Sequence, residues 1–99
     1  MNYKDKNCII RTNRAGVFFA NVKDYDSTTR EAVLTDCRRL WYWDGAASLS
    51  QLAMEGISRP HNCKFTVTVP EMTVMEVIEI IPCTDKAEKS ISGVKEWRA

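Results

Sequence analysis

The chemistry in this sequence is concentrated in one stretch, Arg38-Arg39-Leu40-Trp41-Tyr42-Trp43-Asp44-Gly45-Ala46-Ala47-Ser48. It reads as the end of a strand, a tight turn and the start of a helix. Strand alternation puts Arg39 on one face with Trp41 and Trp43. A guanidinium beside indole rings suits a flat anion: the rings stack on the planar part, and the guanidinium forks onto a phosphate or carboxylate. Gly45, Ala46 and Ala47, followed by Ser48, carry small side chains that expose backbone N–H groups at a helix start, where negative charge is favoured. Arg11 and Arg14, on an earlier strand, add positive charge if that strand is adjacent. Arg39, Trp41, Trp43, Gly45, Ala46, Ala47, Ser48, Arg11 and Arg14 are therefore the expected ligand-binding residues. The same stretch admits a structural role. Tryptophans on a small sheet commonly pack in a core or an interface, Arg38 and Asp36 can form a surface ion pair, and Gly45 can simply supply a positive φ.

Catalysis has no comparable support. The single histidine, His61, follows Pro60 in a loop, and Cys63 two residues on lacks the spacing and the second pair of a zinc site. There is no P-loop, no GxGxxG and no Ser/His/Asp arrangement. Glu76 and Glu79 fall on opposite faces of one expected strand. The expectation is a binder without catalytic residues, metal or cofactor.

The elements that must position the central stretch follow from periodicity. Residues 8–14 and 17–22 read as two strands, and Asp24 to Thr29 as a hairpin loop. A long third strand runs from about Arg30 to Trp43. It carries Val33, Thr35, Cys37, Arg39, Trp41 and Trp43 on one face, and Ala32, Leu34, Asp36, Arg38, Leu40 and Tyr42 on the other. Neither face is purely polar, so both are partly covered, by protein, by a second subunit or by a ligand. Ser48 and Gln51 fit a capping box, and Leu49, Leu52, Ala53 and Ile57 form the apolar stripe of a short helix ended by Gly56 and Pro60. Cys63 to Val69 alternates cleanly, Pro70-Glu71 reads as a turn, and Thr73 to Ile81 as a central strand. Asp85 to Glu88 reads as a capping box opening a second helix, stopped at Gly93, with Trp97 docking on the body. The order β-β-β-α-β-β-α predicts one α+β domain over residues 1–99: a mainly antiparallel sheet of about five strands with two short helices.

Composition narrows the partners. The net charge of +1 predicts no general attraction to nucleic acid or to membranes, so an anion site must come from local clustering. No apolar run is long enough to span a bilayer, and Met1 to Asn7 lacks the apolar core of a signal peptide. Cys8, Cys37, Cys63 and Cys83 are widely spaced with no CxxC pair, as expected of reduced, buried thiols in a cytoplasm. The apolar third strand predicts a homo-oligomer whose interface includes part of Leu34–Tyr42.

From Arg38 through Ala53 the sequence resembles a family of small uncharacterised proteins encoded by tailed bacteriophages and prophages. Asn62-Cys63-Lys64-Phe65, Glu76 through Thr84, and Arg11 with Ala15-Gly16-Val17-Phe18 extend the resemblance over most of the chain. It implies a phage origin and action in the cytoplasm of a bacterial host, and carries no catalytic residues. By analogy of size and pocket chemistry, the leading expectation is a non-enzymatic binder of a small anionic, nucleotide-derived ligand, such as a sponge for a host immune signal. The alternative is a protein–protein interaction module that inhibits a host protein or serves phage assembly. There, Trp and Arg act as interface anchors. Nucleic acid ranks third, because phosphate contacts need a positive surface.

Overall fold

The computed structural model describes residues 3–99. Met1 and Asn2, part of the Met1–Asn7 segment expected to lack a signal peptide's apolar core, lie outside the described residues. The strands are β1 (Asn7–Thr12), β2 (Val17–Asp26), β3 (Glu31–Tyr42), β4 (Lys64–Phe65), β5 (Val69–Val74) and β6 (Val77–Pro82). Helix α1 (Leu49–Glu55) follows β3, and α2 (Asp85–Ser92) follows β6. The sheet is antiparallel in the order β4-β3-β2-β1-β6, with β5 also on β3. β4 and β5 line the same edge of β3, opposite Leu40–Tyr42 and Ala32–Cys37 respectively. Counted as one interrupted strand, they preserve the expected order and number.

The expected Cys63–Val69 strand is thus reduced to β4, and Pro70-Glu71 lies within β5 rather than forming a turn. Proline is tolerated there because β5 is an edge strand. The Thr73–Ile81 strand is also corrected. Met75 and Glu76 break it, and β6 is an edge strand paired only with β1.

That break rolls the sheet. Val74 and Val77 are three residues apart, so their Cα atoms lie within about 11 Å. Four strand spacings in a flat sheet would separate β5 from β6 by about 19 Å. The sheet must curl, and two hydrogen bonds hold the curled end: Val77 N–H donates to the Arg30 carbonyl at 3.0 Å, and Asn13 N–H to that of Glu76 at 2.9 Å. Inside the roll lies one core, including Ile10, Phe18, Val22, Leu34, Val74 and Val77. On the outer face Ile9, Phe19, Leu40 and Phe65 meet Leu52, Ala53, Ile57, Ala87 and Ile91 from the helical side. Burial of these two apolar sets, at about 25 cal/mol per Å² removed from water, is the main term favouring the fold.

Local signals set the helix ends. Ser48 Oγ accepts from Gln51 N–H at 3.1 Å, and Gln51 Oε1 accepts from Ala47 N–H at 2.7 Å. For α2 the cap is Thr84, one residue before the expected Asp85; its Oγ1 accepts from Ala87 N–H at 3.1 Å. Among the described residues no helix is long and apolar enough to cross a membrane.

Candidate functional site

β3 does not alternate along its whole length. Asp36 adopts φ 49°, and the register against β2 shifts between Phe19 and Asn21. One extra β3 residue there forms a bulge, which exchanges the faces. Ala32 and Leu34 point into the roll; beyond the bulge Cys37 does so instead, while Arg38 and Leu40 turn to the helices. Val33 and Thr35 therefore do not share a face with Cys37 and Arg39, and the single-face reading of β3 is corrected.

Arg38 is 5% exposed. Its Nε donates to the Thr66 carbonyl at 3.1 Å, Nη1 to that of Ile91 at 3.1 Å and Nη2 to that of Phe65 at 3.3 Å. The Ile91 carbonyl belongs to the last turn of α2, where a cation is favoured. Burial pushes the Arg38 pKa down, and the nearby Glu96 carboxylate partly offsets this. The surface ion pair with Asp36 does not form; Arg38 ties β3 to β4 and α2.

Arg39 is exposed on the opposite face. Its guanidinium lies 4.9 Å from the centre of the Phe18 ring, at the end of the rolled core. Trp41, two residues on, is 60% exposed. Trp41 stacks on Trp97 with ring centres 5.3 Å apart and planes 26° apart. Lys64 completes the group: its Nζ lies 5.1 Å from the Trp41 ring and 5.4 Å from the Trp97 ring. β4 holds Lys64 on this side because its neighbour Phe65 is buried towards the helices. The tail holds Trp97, whose N–H donates to the Phe65 carbonyl at 2.8 Å. Among the described residues, neither Lys64 nor Arg39 has a carboxylate within 4.0 Å.

The remaining expected site residues lie elsewhere. Trp43 packs against the helix-side core with Ala46 and Leu49, so it does not join Arg39 and Trp41. A further register shift between Leu40 and Tyr42 separates it from them. Of the amides around the Gly45–Ser48 turn, Ala47 N–H is bound by Gln51 Oε1, and Gln51 N–H in the helix that follows is bound by Ser48 Oγ. Gly45 has φ 95°, and a Cβ there would lie 2.5 Å from Ser58 N, so close approach of the 58–59 loop requires glycine. Asp44 secures that loop through Arg59 at 3.1 Å and Asn62 at 2.7 Å. The Asn62 contact first, then Arg59, holds the Asp44 carboxyl below the usual range despite some desolvation. Arg11 pairs with Glu79 at 2.8 Å, and Arg14 takes Glu76 in a two-pronged grip at 2.9 Å. β1 is separated from β3 by β2, so these arginines are neither adjacent to the central stretch nor unpaired.

Lys64 was not among the expected residues, and its only sequence signal is its alternation with Phe65. The pairing of Trp97 with Trp41 has no local signal, because the two are far apart in sequence. Two hollows flank Trp97: one of about 420 Å³ lined by His61, Cys63 and Lys95 among others, and one of about 340 Å³ lined by Thr66, Arg98 and Ala99. All four cysteines carry free thiols. Burial pushes Cys8 and Cys37 up to about 11 and Cys83 up to about 12, so these thiols are protonated and unreactive at neutral pH. No group of three or more His, Cys, Asp or Glu residues among those described is placed to hold a metal.

The fold and this surface define a small α+β domain: a rolled antiparallel sheet, helices on its outer face and an aromatic–cationic patch beside the mouth of the roll. Within that class, the chain belongs to the family described as "Domain of unknown function (DUF6948)", whose model matches residues 5–91. The match takes in Arg39, Trp41 and Lys64 and ends before Trp97. No curated protein and no solved structure matches the chain.

Proposed function

We propose that this protein is a non-enzymatic binder of a small, flat anion, held on the Trp41–Lys64–Trp97 surface with Arg39 at its margin. The observation that carries this reading is an exposed indole stack bearing an ammonium with no carboxylate partner. Stacking takes the planar part of a ligand, and the unpaired cations take its charge. The resemblance to phage-encoded proteins supports action in a bacterial host, where holding a nucleotide-derived immune signal would blunt defence. The test is a thermal-shift panel of cyclic and linear nucleotides. A bound ligand raises the melting temperature by mass action. A rise that disappears in Trp97→Ala supports the reading, and no rise with any nucleotide overturns it.

A protein-interaction role is the second reading, favoured by the exposure of Trp41, Tyr42 and Trp97 together. The same exposure redefines the expected self-association. Leu34, Cys37, Arg38 and Leu40 are buried within the chain, so a homo-oligomer built on β3 would use Trp41 and Tyr42.

A further inference from the structure

Trp41 and Trp97 cover one face of each other, so a ligand ring has their outward faces to stack on. The Lys64 ammonium lies on neither of those faces. Its near-equal distances of 5.1 Å and 5.4 Å to two ring centres 5.3 Å apart put it at the flank of the stack, level with the space between the rings. A third ring stacked outside either indole adds a layer of about 3.5–4 Å. The plane of that ring then passes about 5 Å from the ammonium, whichever indole carries it. A charge-assisted contact needs about 2.7–2.9 Å between nitrogen and oxygen. The charge of a flat ring acid stays near the ring plane, because a carboxyl group bonded to the ring turns its oxygens out by only about 1 Å. Lys64 is out of reach of such an acid. Its stem is flexible, but an ammonium that followed the charge outward would leave the farther indole. An anion on a saturated arm is different, since tetrahedral carbons lift it out of the ring plane and let it fold back along the flank. Resting on the binding reading above, we propose that the ligand carries its charge on such an arm, as a nucleoside 5′-phosphate does. Lys64 sets this specificity by taking the arm's anion at the flank of the stack.

Two matched pairs of probes test this by calorimetric titration of the full chain. Adenosine and adenosine 5′-monophosphate differ by a charge on an arm; indole and indole-3-carboxylate differ by a charge in the ring plane. The monophosphate is expected to bind at least about tenfold more tightly than adenosine, and the carboxylate within about twofold of indole. In Lys64→Ala the gain from the phosphate is expected to fall to about twofold, with the indole pair unchanged. Equal gains from the two charges, large or small, overturn the arm while leaving stacking on Trp41 and Trp97 in place. A phosphate gain that survives in Lys64→Ala also overturns it and assigns the charge to another cation, such as Arg39. Binding of none of the four probes by the intact protein instead overturns the arm together with the binding reading for these rings. A Lys64→Ala chain with an altered melting temperature would be replaced by Lys64→Gln, judged by the same outcomes.

Discussion

Arg38 and Arg39 are neighbours in sequence and opposites in environment. Arg38 is buried on the helix side, with three carbonyls around its guanidinium and Phe65 5.6 Å away. Arg39 lies in solvent over Phe18, with no carboxylate within 4.0 Å among the described residues. The difference separates two uses of the same side chain. A cation whose donors are all spent on backbone is a staple and has little left for a ligand. One with unspent donors in solvent is available for recognition.

The largest effect should come from Arg38→Ala. It strips three buried carbonyls of their donor and leaves a hollow between β3, β4 and α2, at an expected cost of about 3 kcal/mol or more. Urea denaturation measures this, and a loss below about 1 kcal/mol would mean that water replaces the guanidinium. Tryptophans sharpen the contrast next. Trp43→Ala, on the helix side, should cost about 2 kcal/mol, whereas Trp41→Ala should cost about 1 kcal/mol, mostly through the lost stack. Equal losses in the same denaturation series would erase the distinction between the faces.

Acid should act on the open face through Glu96. Its carboxylate accepts from Thr68 N–H at 3.3 Å and pairs with Arg98 at 2.7 Å, and these contacts, in that order, hold its pKa below the usual range. A depressed carboxyl contributes stability above its unfolded pKa of about 4.3 and loses it as pH falls through the folded value. The coupled circular-dichroism signal of the Trp41–Trp97 stack should therefore be constant from about pH 8 to 5 and decline below about pH 4. Glu96→Gln should remove most of that dependence; a decline unchanged in this variant would assign it to another carboxyl, such as Asp44 or Glu76. The smallest effect on stability belongs to Arg39→Ala, expected within about 0.5 kcal/mol. Its effect on affinity for a nucleotide should be about ten- to a hundredfold. Unfolding by Arg39→Ala would make Arg39 a second staple.

Much of the fold was legible because its causes are local. Residues 8–14 and 17–22 read as strands from their apolar and β-branched content, and the structure sends Ile9 and Phe19 to one core and Ile10 and Phe18 to the other. Ser48 with Gln51 and Gly56 bracket α1 through contacts within a few residues. The bulge also left a trace, an aspartate inside an apolar strand, where aspartate is disfavoured in regular β structure and tolerates positive φ. The Cys63–Val69 pattern misled because alternation marks a surface that fits a sheet, not the length over which a neighbour is available for pairing.

The candidate site was legible only in part, for a physical reason. Strand period is a local property, so Arg39 and Trp41 could be assigned to one face; a single inserted residue at Asp36 and a second register shift near Tyr42 decided which neighbours joined them. Arg11 and Arg14 found Glu79 and Glu76 across 68 and 62 residues. Lys64 and Trp97 reached Trp41 through an edge strand and a tail. Such contacts depend on how the sheet rolls, and the roll follows from a two-residue connection that must join opposite edges. Composition and periodicity determine which surfaces seek cover; long-range pairing alone decides which charges are spent and which remain exposed beside the indoles.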